Sequence, residues 1–175
     1  MSSLRWLRLL LVITVLLTVF SFLTTMPRQS LPIGTRADRI VVMKHSHTLY
    51  LLSKGTVLKS YQVALGRGGL APKRKRDDNL VPEGIYSLTG RNEYSAFHRS
   101  LRIGYPTPVQ NAEARAAGVD PGSDVMLHGI CNGLGWLGRV HRTVDWTRGC
   151  IAVTDDEIEE IWRAVPNGTP IDIRP

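Results

Sequence analysis

Apolar positions divide the chain into an N-terminal run and a longer region of short apolar stretches separated by turns. Leu9 to Thr25 holds 17 residues without a charge, and Arg5 and Arg8 precede it. A run of this length is at the short end for a membrane span, and basic residues before it favour an orientation with the N-terminus in the cytoplasm. Residues 1–26 are therefore predicted to be a membrane anchor or signal segment.

The same segment lacks a good cleavage site. Phe22, Leu23 and Met26 are poor substitutes for the small residues that precede signal-peptide cleavage. An uncleaved anchor is thus preferred over a cleaved signal peptide, and either one would place the remaining chain outside the cytoplasm. Residues 27–38 are polar and contain proline and glycine, which predicts a linker.

Residues 39–175 carry the pattern of one mostly β domain. Short stretches rich in β-branched residues and bounded by turn residues predict a meander of strands. These strands are Ile40–Met43, Thr48–Leu52, Thr56–Leu65, Ile85–Leu88, Leu101–Ile103, Val125–Leu127 and Ile171–Ile173. Ala112 to Ala117 favours a helix, and Thr154 with Glu157 forms a capping box that begins another. The prediction is an α+β domain, a β-sandwich or mixed sheet with one or two helices.

The distribution of charged residues indicates which kinds of partner the chain could bind. The chain has a formal net charge of +7, but after residue 35 there are 19 basic and 15 acidic residues, so the excess in the domain is modest. Basic residues do not alternate with aromatic ones in the way that RNA-binding modules require. The composition therefore favours an acidic polymer or surface as partner and argues against nucleic acid.

The stretch from residue 124 to residue 153 carries the candidate chemistry. His128 stands at a predicted strand end, and Cys150 follows Arg148 and Gly149. A cysteine attacks as thiolate, and its usual pKa of about 8.5 means that a base or a cation must assist it at neutral pH. His128 is the candidate base and Arg148 supplies a positive charge. Gly149 permits a tight turn whose amides could point at an oxyanion.

Cys150 alone fits three roles, which are a nucleophile, a disulfide partner of Cys131 and a buried inert thiol. Zinc could use the two cysteines with His128 and His141, but the paired spacing of structural zinc sites is missing, so no metal is predicted. His141 is either a substrate contact or a surface residue. Trp146 either walls a cleft or serves ordinary packing.

Several segments, taken in order, resemble the L,D-transpeptidase (YkuD-like) catalytic domain. They are Tyr61–Gly66, Val81–Tyr86, Phe97–Ile103, Leu127–Gly129, Asp145–Trp146 and Thr147–Ile151. The last is similar to the family's signature of Ser or Thr, any residue, Gly and Cys, and two of the others resemble Gram-negative periplasmic members. The resemblance covers residues 39–174. It departs at Arg148, where the family often has histidine, and at Ala152, where it often has arginine or asparagine.

The resemblance implies acyl transfer on peptidoglycan stem peptides. Cys150 would attack a carbonyl of the stem peptide, and His128 would take the thiol proton. The Gly129 carbonyl would orient the imidazole, and amides near Gly149 would hold the oxyanion. The acyl group would then pass to an amine or to water, so transpeptidation and hydrolysis both stay open.

The resemblance implies neither a metal nor a cofactor. The expected partners are peptidoglycan stem peptides, the inner membrane through the N-terminal segment and, as further acceptors, envelope proteins, with the domain in the periplasm. Arg148, His141 and Trp146 are the candidate substrate-binding residues. A non-catalytic envelope-binding module on the same scaffold is the rival hypothesis, and the reactivity of the Cys150 thiol separates the two.

Overall fold

The N-terminal residues form a helix. The structure, a computed structural model, describes residues 2–25 and 30–175. The chain divides into a unit that ends at Ser30, which holds the helix α1, Ser2–Thr25, and a unit of Leu31–Pro175. Across the described residues, no helix is both long enough and apolar enough to cross a membrane. The start of the predicted linker falls within residues 26–29, which lie outside the described residues.

Within residues 30–175, eight strands form one sheet in the order β3-β2-β1-β8-β4-β5-β6-β7. Their bounds are β1 Arg39–Met43, β2 Thr48–Ser53, β3 Thr56–Gln62, β4 Gly84–Ser95, β5 His98–Ile103, β6 Met126–His128, β7 Ile151–Ala152 and β8 Pro170–Arg174. The β1–β8 and β6–β7 pairs are parallel, and the other neighbours are antiparallel. The predicted α+β fold with a mixed sheet is confirmed.

The long strand β4 joins the two halves of the sheet. Residues 84–87 pair with β8, and the residues from Leu88 onward pair with β5. Register shifts interrupt the β4–β5 pairing after Leu88 and after Asn92, and such irregularities bend a strand. The sequence pattern predicted only Ile85–Leu88 here, because the exposed second half of β4 lacks a run of apolar residues.

The two edges of the sheet meet beyond the end of β3. The strand predicted over Thr56–Leu65 ends at Gln62. The next amide, that of Val63, donates a hydrogen bond of 2.9 Å to the carbonyl of His47, in the turn before β2. Ala64 then exchanges backbone hydrogen bonds of 2.9 Å in both directions with Ala152 of β7. The sheet therefore curls back on itself, and the segment that leads into β7 lies at this junction.

Helix α2, Pro108–Ala116, begins before the predicted span of 112–117. The Thr107 hydroxyl accepts the Gln110 amide at 3.2 Å, and the Gln110 side chain accepts the Thr107 amide at 2.9 Å. This capping box, with proline at the first helical position, sets the start of the helix.

Helix α3, Asp155–Ala164, begins at the capping box predicted for Thr154 and Glu157, which is confirmed. Its apolar face includes Ile158 and Ile161, both fully buried in the core of the domain. The helix packs against β5, so its first turn lies beside the end of β6.

A buried lysine fixes the long connection between β3 and β4. Lys44 has no exposed surface, and its ammonium donates to the carbonyls of Ala71 at 3.0 Å and Val81 at 3.1 Å. It also donates to the Glu83 carboxylate at 2.8 Å. All three ammonium protons are used, as a buried cation requires, so residues 71–83 are held against the sheet.

Candidate active site

The parallel pair β6–β7 brings His128 and Cys150 to the same face of the sheet. Leu127 lies opposite Ile151, and His128 lies opposite Ala152. Cys150 directly precedes β7, so the same register places it two positions behind His128. Side chains alternate along a strand, with a rise of about 3.3 Å per residue. His128 and Cys150 therefore project on one face, offset by about 7 Å along the strands.

The hydrogen bonding of His128 determines its tautomer. Its Nδ1 lies 2.7 Å from the carbonyl oxygen of Gly129, which can only accept, so Nδ1 carries the proton and Nε2 has a free lone pair. The side chain is 3% exposed, and burial lowers the pKa of the imidazole, while the hydrogen bond to Gly129 opposes this shift. The neutral imidazole is thus the resting form at neutral pH, and Nε2 is the atom that can accept a proton.

Gly129 occupies a position with no room for a side chain. A Cβ there would lie 2.7 Å from the Asp155 carboxylate and 3.1 Å from Ile158. Asp155, at the start of α3, also accepts the amide of Ile130 at 2.8 Å. The helix N-terminus therefore fixes the backbone turn whose carbonyl orients His128.

Cys150 presents a partly exposed free thiol, and so does Cys131. The structure therefore contains no disulfide between them. The Sγ atom of Cys150 lies 3.7 Å from the carbonyl oxygen of Asp124. Burial raises the pKa of the Cys150 thiol, while a backbone hydrogen bond from Met126 and the charge of Lys73 lower it. Because burial is the largest effect, the resting residue is the thiol, and His128 is neutral as well.

Thr147 organises the turn that precedes the cysteine. Its hydroxyl donates to the carbonyl of Cys150 at 2.7 Å and accepts the amide of Gly149 at 3.2 Å. The Gly149 amide predicted for the oxyanion is thus already engaged, and the amide of Cys150 remains as the candidate donor. Gly149 has φ +113°, and a Cβ on it would lie 2.7 Å from the carbonyl oxygen of Leu80.

The connection after β3 packs directly on this turn. The amide of Arg67 donates to the carbonyl of Thr147 at 3.0 Å, and Thr147 donates its own amide to Leu65 at 3.1 Å. A Cβ on Gly66 would lie 2.0 Å from the carbonyl oxygen of Asn79 and 3.1 Å from the Cα of Gly149. The Leu65-Gly66 segment thus supports the cysteine turn through close backbone contact.

A cluster of rings surrounds His128. Its ring centroid is 4.6 Å from that of Phe97 and 5.7 Å from that of Trp146. Trp146 also contacts His141, with a centroid distance of 6.1 Å, and donates its Nε1 proton to His141 Nδ1 at 3.2 Å. The structure therefore brings two of the three predicted substrate-binding candidates, His141 and Trp146, close to the candidate base.

His141 is buried rather than exposed. It lies in a 3₁₀ segment, Gly135–Thr143, that is kinked at Gly138 and that sequence patterns did not predict. The residue is 6% exposed, and burial, together with the charge of Arg142, lowers its pKa to about 4. Its Nδ1 accepts from Trp146, so Nε2 carries the proton, and within the described residues this buried N–H has no acceptor.

Arg148, the third substrate-binding candidate, has an exposed side chain, and within residues 30–175 it forms no hydrogen bond or ion pair. Arg148 is not among the charges that shift the pKa of the Cys150 thiol, whereas the charge of Lys73 lowers this pKa. Asp145 belongs to the family-like segment Asp145–Trp146, but the sequence predicted no role for it. It accepts the amide of Leu65 at 2.7 Å and lies 3.0 Å from His47 Nε2, so it anchors the segment that carries Trp146. These long-range contacts have no local sequence signal.

The histidines, cysteines and acidic residues do not assemble into a metal site. In the part of the chain that the structure describes, no three of them form a group that could hold an ion. The zinc alternative built from His128, Cys131, His141 and Cys150 therefore has no geometric support.

Comparison with known proteins places the chain in a family. The model of the L,D-transpeptidase catalytic domain (YkuD) matches residues 37–173. The chain is 33% identical to YafK of Escherichia coli (strain K12) over 133 residues, which are 72% of this chain and 46% of YafK. It is 29% identical to YqjB of Bacillus subtilis (strain 168) over 133 residues, which are 75% of this chain and 68% of YqjB. The chain belongs to the L,D-transpeptidase family, and it spans about half the length of YafK.

Solved structures agree at the level of the fold. The helical cell shape determining protein Pgp2 from Campylobacter jejuni superposes with a TM-score of 0.59 at 16% identity, covering 89% of this chain and 54% of Pgp2. An L,D-transpeptidase from Xylanimonas cellulosilytica superposes with a TM-score of 0.53 at 14% identity, covering 89% of this chain and 69% of that one. At these identities the likeness concerns the arrangement of strands and helices.

Proposed function

We propose that the chain is a cysteine-dependent acyl transferase that acts on peptidoglycan stem peptides in the cell envelope. The observation that carries the proposal is the position of Cys150 and His128 on one face of a parallel strand pair, with the His128 Nε2 lone pair free. Membership of the L,D-transpeptidase family supports the substrate class.

The first half of the reaction forms an acyl-enzyme. The Cys150 sulfur attacks the carbonyl carbon before the scissile amide, and His128 Nε2 takes the thiol proton as the S–C bond forms. Because the resting pair is neutral, proton transfer accompanies the attack. The Cys150 amide stabilises the oxyanion, and the imidazolium returns its proton to the leaving amine as the C–N bond breaks.

The second half of the reaction consumes the thioester. An acceptor amine attacks the acyl carbon, loses its proton to His128, and the C–S bond breaks to regenerate the thiol. Attack by an amine gives transpeptidation, whereas attack by water gives hydrolysis. Trp146 and His141 stand beside His128 and are the groups proposed to contact the bound peptide.

Mass spectrometry of the full chain with a tetrapeptide stem donor tests the proposal. We expect a mass increase equal to the tripeptide acyl group, mapped to Cys150, with cross-linked or hydrolysed peptides in solution. Cys150→Ser should abolish both the adduct and the products. Cys131→Ser is the matched control, since it removes the other free thiol, and it should keep most activity. An adduct on Cys131, or turnover by the Cys150→Ser protein, would refute the assignment.

A further inference from the structure

Both ends of the 3₁₀ segment Gly135–Thr143 rest on the first turn of helix α3. At the start of the segment, a Cβ on Gly135 would collide with the Asp155 carboxylate, so the backbone lies directly on that side chain. At the end of the segment, Arg142 forms an ion pair with Glu157, the third residue of the helix. The segment is therefore held at two points on either side of its kink.

The Arg142 guanidinium makes three contacts through one nitrogen. Its Nη1 lies 3.2 Å from Oε1 and 3.1 Å from Oε2 of Glu157, and it donates to the carbonyl oxygen of Gln62 at 3.0 Å. Both charged side chains are 10% exposed. A buried ion pair adds little net stability, because the desolvation of two charges offsets their attraction, but it requires a defined geometry. The pair is therefore suited to holding the segment in one arrangement.

Glu157 serves the start of the helix and the 3₁₀ segment together. Its Oε2 accepts the amide of Thr154 at 3.0 Å, and its own amide donates to the Thr154 hydroxyl at 3.3 Å. The same carboxylate accepts from Arg142. Asp155, two residues earlier, holds the backbone beneath His128 through the amide at position 130. One helical turn thus supports both the candidate base and the segment beside it.

Arg142 directly follows His141, so the place of its guanidinium determines where the imidazole lies. His141 Nδ1 accepts the Nε1 proton of Trp146 at 3.2 Å, and the ring centroid of Trp146 is 5.7 Å from that of His128. The backbone before Trp146 is held separately by the Asp145 carboxylate. Release of Arg142 would therefore move the imidazole while the strand ends keep their places.

The charge of Arg142 also favours the hydrogen bond between His141 and Trp146. Burial and, after it, the charge of Arg142 lower the pKa of His141 to about 4, against the opposing charge of Glu157. A neutral imidazole has one unprotonated nitrogen that accepts the indole proton, whereas an imidazolium has none. Arg142 thus acts on the imidazole through both its position and its charge.

We propose that Arg142 is a positioning residue for the acyl transfer. Through Glu157 it holds His141, and through His141 the ring of Trp146, where the stem peptide binds, and it does not touch the peptide itself. The inference rests on the proposed function and adds a residue outside the peptide contacts. Because Cys150 and His128 depend on the strand ends, loss of the ion pair weakens substrate binding and spares the chemistry.

Donor kinetics and the indole region of a nitrogen–proton NMR spectrum test the inference in the full chain. In Arg142→Gln we expect KM for a tetrapeptide stem donor to rise about tenfold, the size of one lost hydrogen bond, with kcat unchanged. The Trp146 indole resonance, assigned from its absence in Trp146→Phe, should shift because its acceptor moves. Alkylation of Cys150 by iodoacetamide should keep its wild-type rate, since this small reagent needs no peptide contact.

Glu157→Gln is the matched variant on the other side of the ion pair. Glutamine at this position still completes a capping box, as Gln110 does for helix α2, so the helix start is kept while the negative charge is removed. The variant should reproduce the KM increase and the indole shift. Since both residues act as one unit, the double variant of Arg142→Gln and Glu157→Gln should lose no more than either single variant.

Two further variants control for charge and stability. Arg142→Lys should recover most of the wild-type KM and the indole resonance, because one nitrogen makes all the contacts and an ammonium can replace it. Arg163→Gln removes an exposed cation from the last turn of the same helix. It should change neither KM nor the Trp146 resonance.

The possible outcomes separate this inference from the proposed function. A wild-type KM in Arg142→Gln, a lower kcat at unchanged KM, or additive losses in the double variant would overturn the inference while acyl transfer stands. If Arg142→Gln does not fold, Glu157→Gln and Arg142→Lys decide by the same readouts. If no donor acylates Cys150, acyl transfer fails and the Trp146 resonance decides alone. A shift in Arg142→Gln and Glu157→Gln but not in Arg163→Gln supports the positioning of Trp146, and an unchanged resonance overturns it.

Discussion

The strand ends around Cys150 and the 3₁₀ segment Gly135–Thr143 both contribute a buried histidine, but they hold it differently. His128 Nδ1 donates to a carbonyl, and the turn beneath it is fixed by Asp155. His141 ends in a buried N–H with no acceptor among the described residues, on a segment kinked at Gly138. An unpaired buried N–H costs about 1–3 kcal/mol. We propose that proton transfer belongs to the strand ends and substrate contact to the 3₁₀ segment.

The largest effect is expected at the rigid strand ends. His128→Gln should reduce acylation of Cys150 by about 10²–10⁴-fold, because a general base contributes a factor of this size. The rate of Cys150 alkylation by iodoacetamide should fall as well, whereas that of Cys131 should not. Wild-type kinetics in a folded His128→Gln protein would show that another group accepts the thiol proton.

The acidic limb of the pH profile provides a second measurement on His128. Burial lowers its pKa below the ordinary value of 6.5, so the imidazole stays neutral and competent as a base to a lower pH. Activity should therefore decline only as the pH falls through that lowered pKa. A midpoint at or above about 6.5 would contradict the buried, neutral state.

The turn before the cysteine should show the next largest effect. Gly149→Ala places a Cβ 2.7 Å from a carbonyl oxygen at a residue with φ +113°. We expect the free energy of unfolding to drop by about 1–3 kcal/mol, with a loss of activity because Cys150 is displaced. Chemical denaturation and donor kinetics measure the two effects.

Gly69→Ala is the matched control for this substitution. Gly69 has φ +99°, similar to Gly149, but a Cβ there would meet nothing within 4 Å. It should show only the conformational penalty and keep full activity. If the two variants lose equal stability and both stay active, close packing around Gly149 is not what positions the nucleophile.

Local signals in the sequence predicted the elements that carry His128 and Cys150 well, and they predicted the contacts around these residues poorly. The capping box at Thr154 and the strand ends at His128 and Cys150 depend on neighbours in the sequence, and they were predicted. The capping box at Thr107 was local too, but it was missed, and the helix was predicted to begin only at Ala112. Lys44 and Asp145 act through partners 27 or more residues away, which no periodicity reveals.

The 3₁₀ segment should respond more weakly than the strand ends. In His141→Asn the side-chain oxygen can still accept from Trp146, while the N–H at Nε2 is removed. If this N–H contacts bound peptide, kcat/KM should fall about tenfold, the size expected for one lost hydrogen bond. Stability should change by under about 1 kcal/mol, since the lost packing and the relief of an unpaired N–H oppose each other. Unchanged kinetics with lower stability would make His141 a packing residue only.

The smallest effect concerns the cation that acts on the thiol. From the sequence, Arg148 was expected to supply the positive charge that favours the Cys150 thiolate. In the structure the charge of Lys73 lowers the pKa of this thiol, and the buried Lys73 ammonium also binds Asp78. Removing a positive charge disfavours the thiolate, so Lys73→Gln should move the pH midpoint of Cys150 alkylation upward. Lys73→Arg keeps the charge and should restore the midpoint. Arg148→Gln should leave the alkylation profile at its wild-type position, because its exposed guanidinium is screened by water. An upward shift in the Arg148 variant and none in the Lys73 variant would reverse the assignment and return the electrostatic role to the residue beside the glycine.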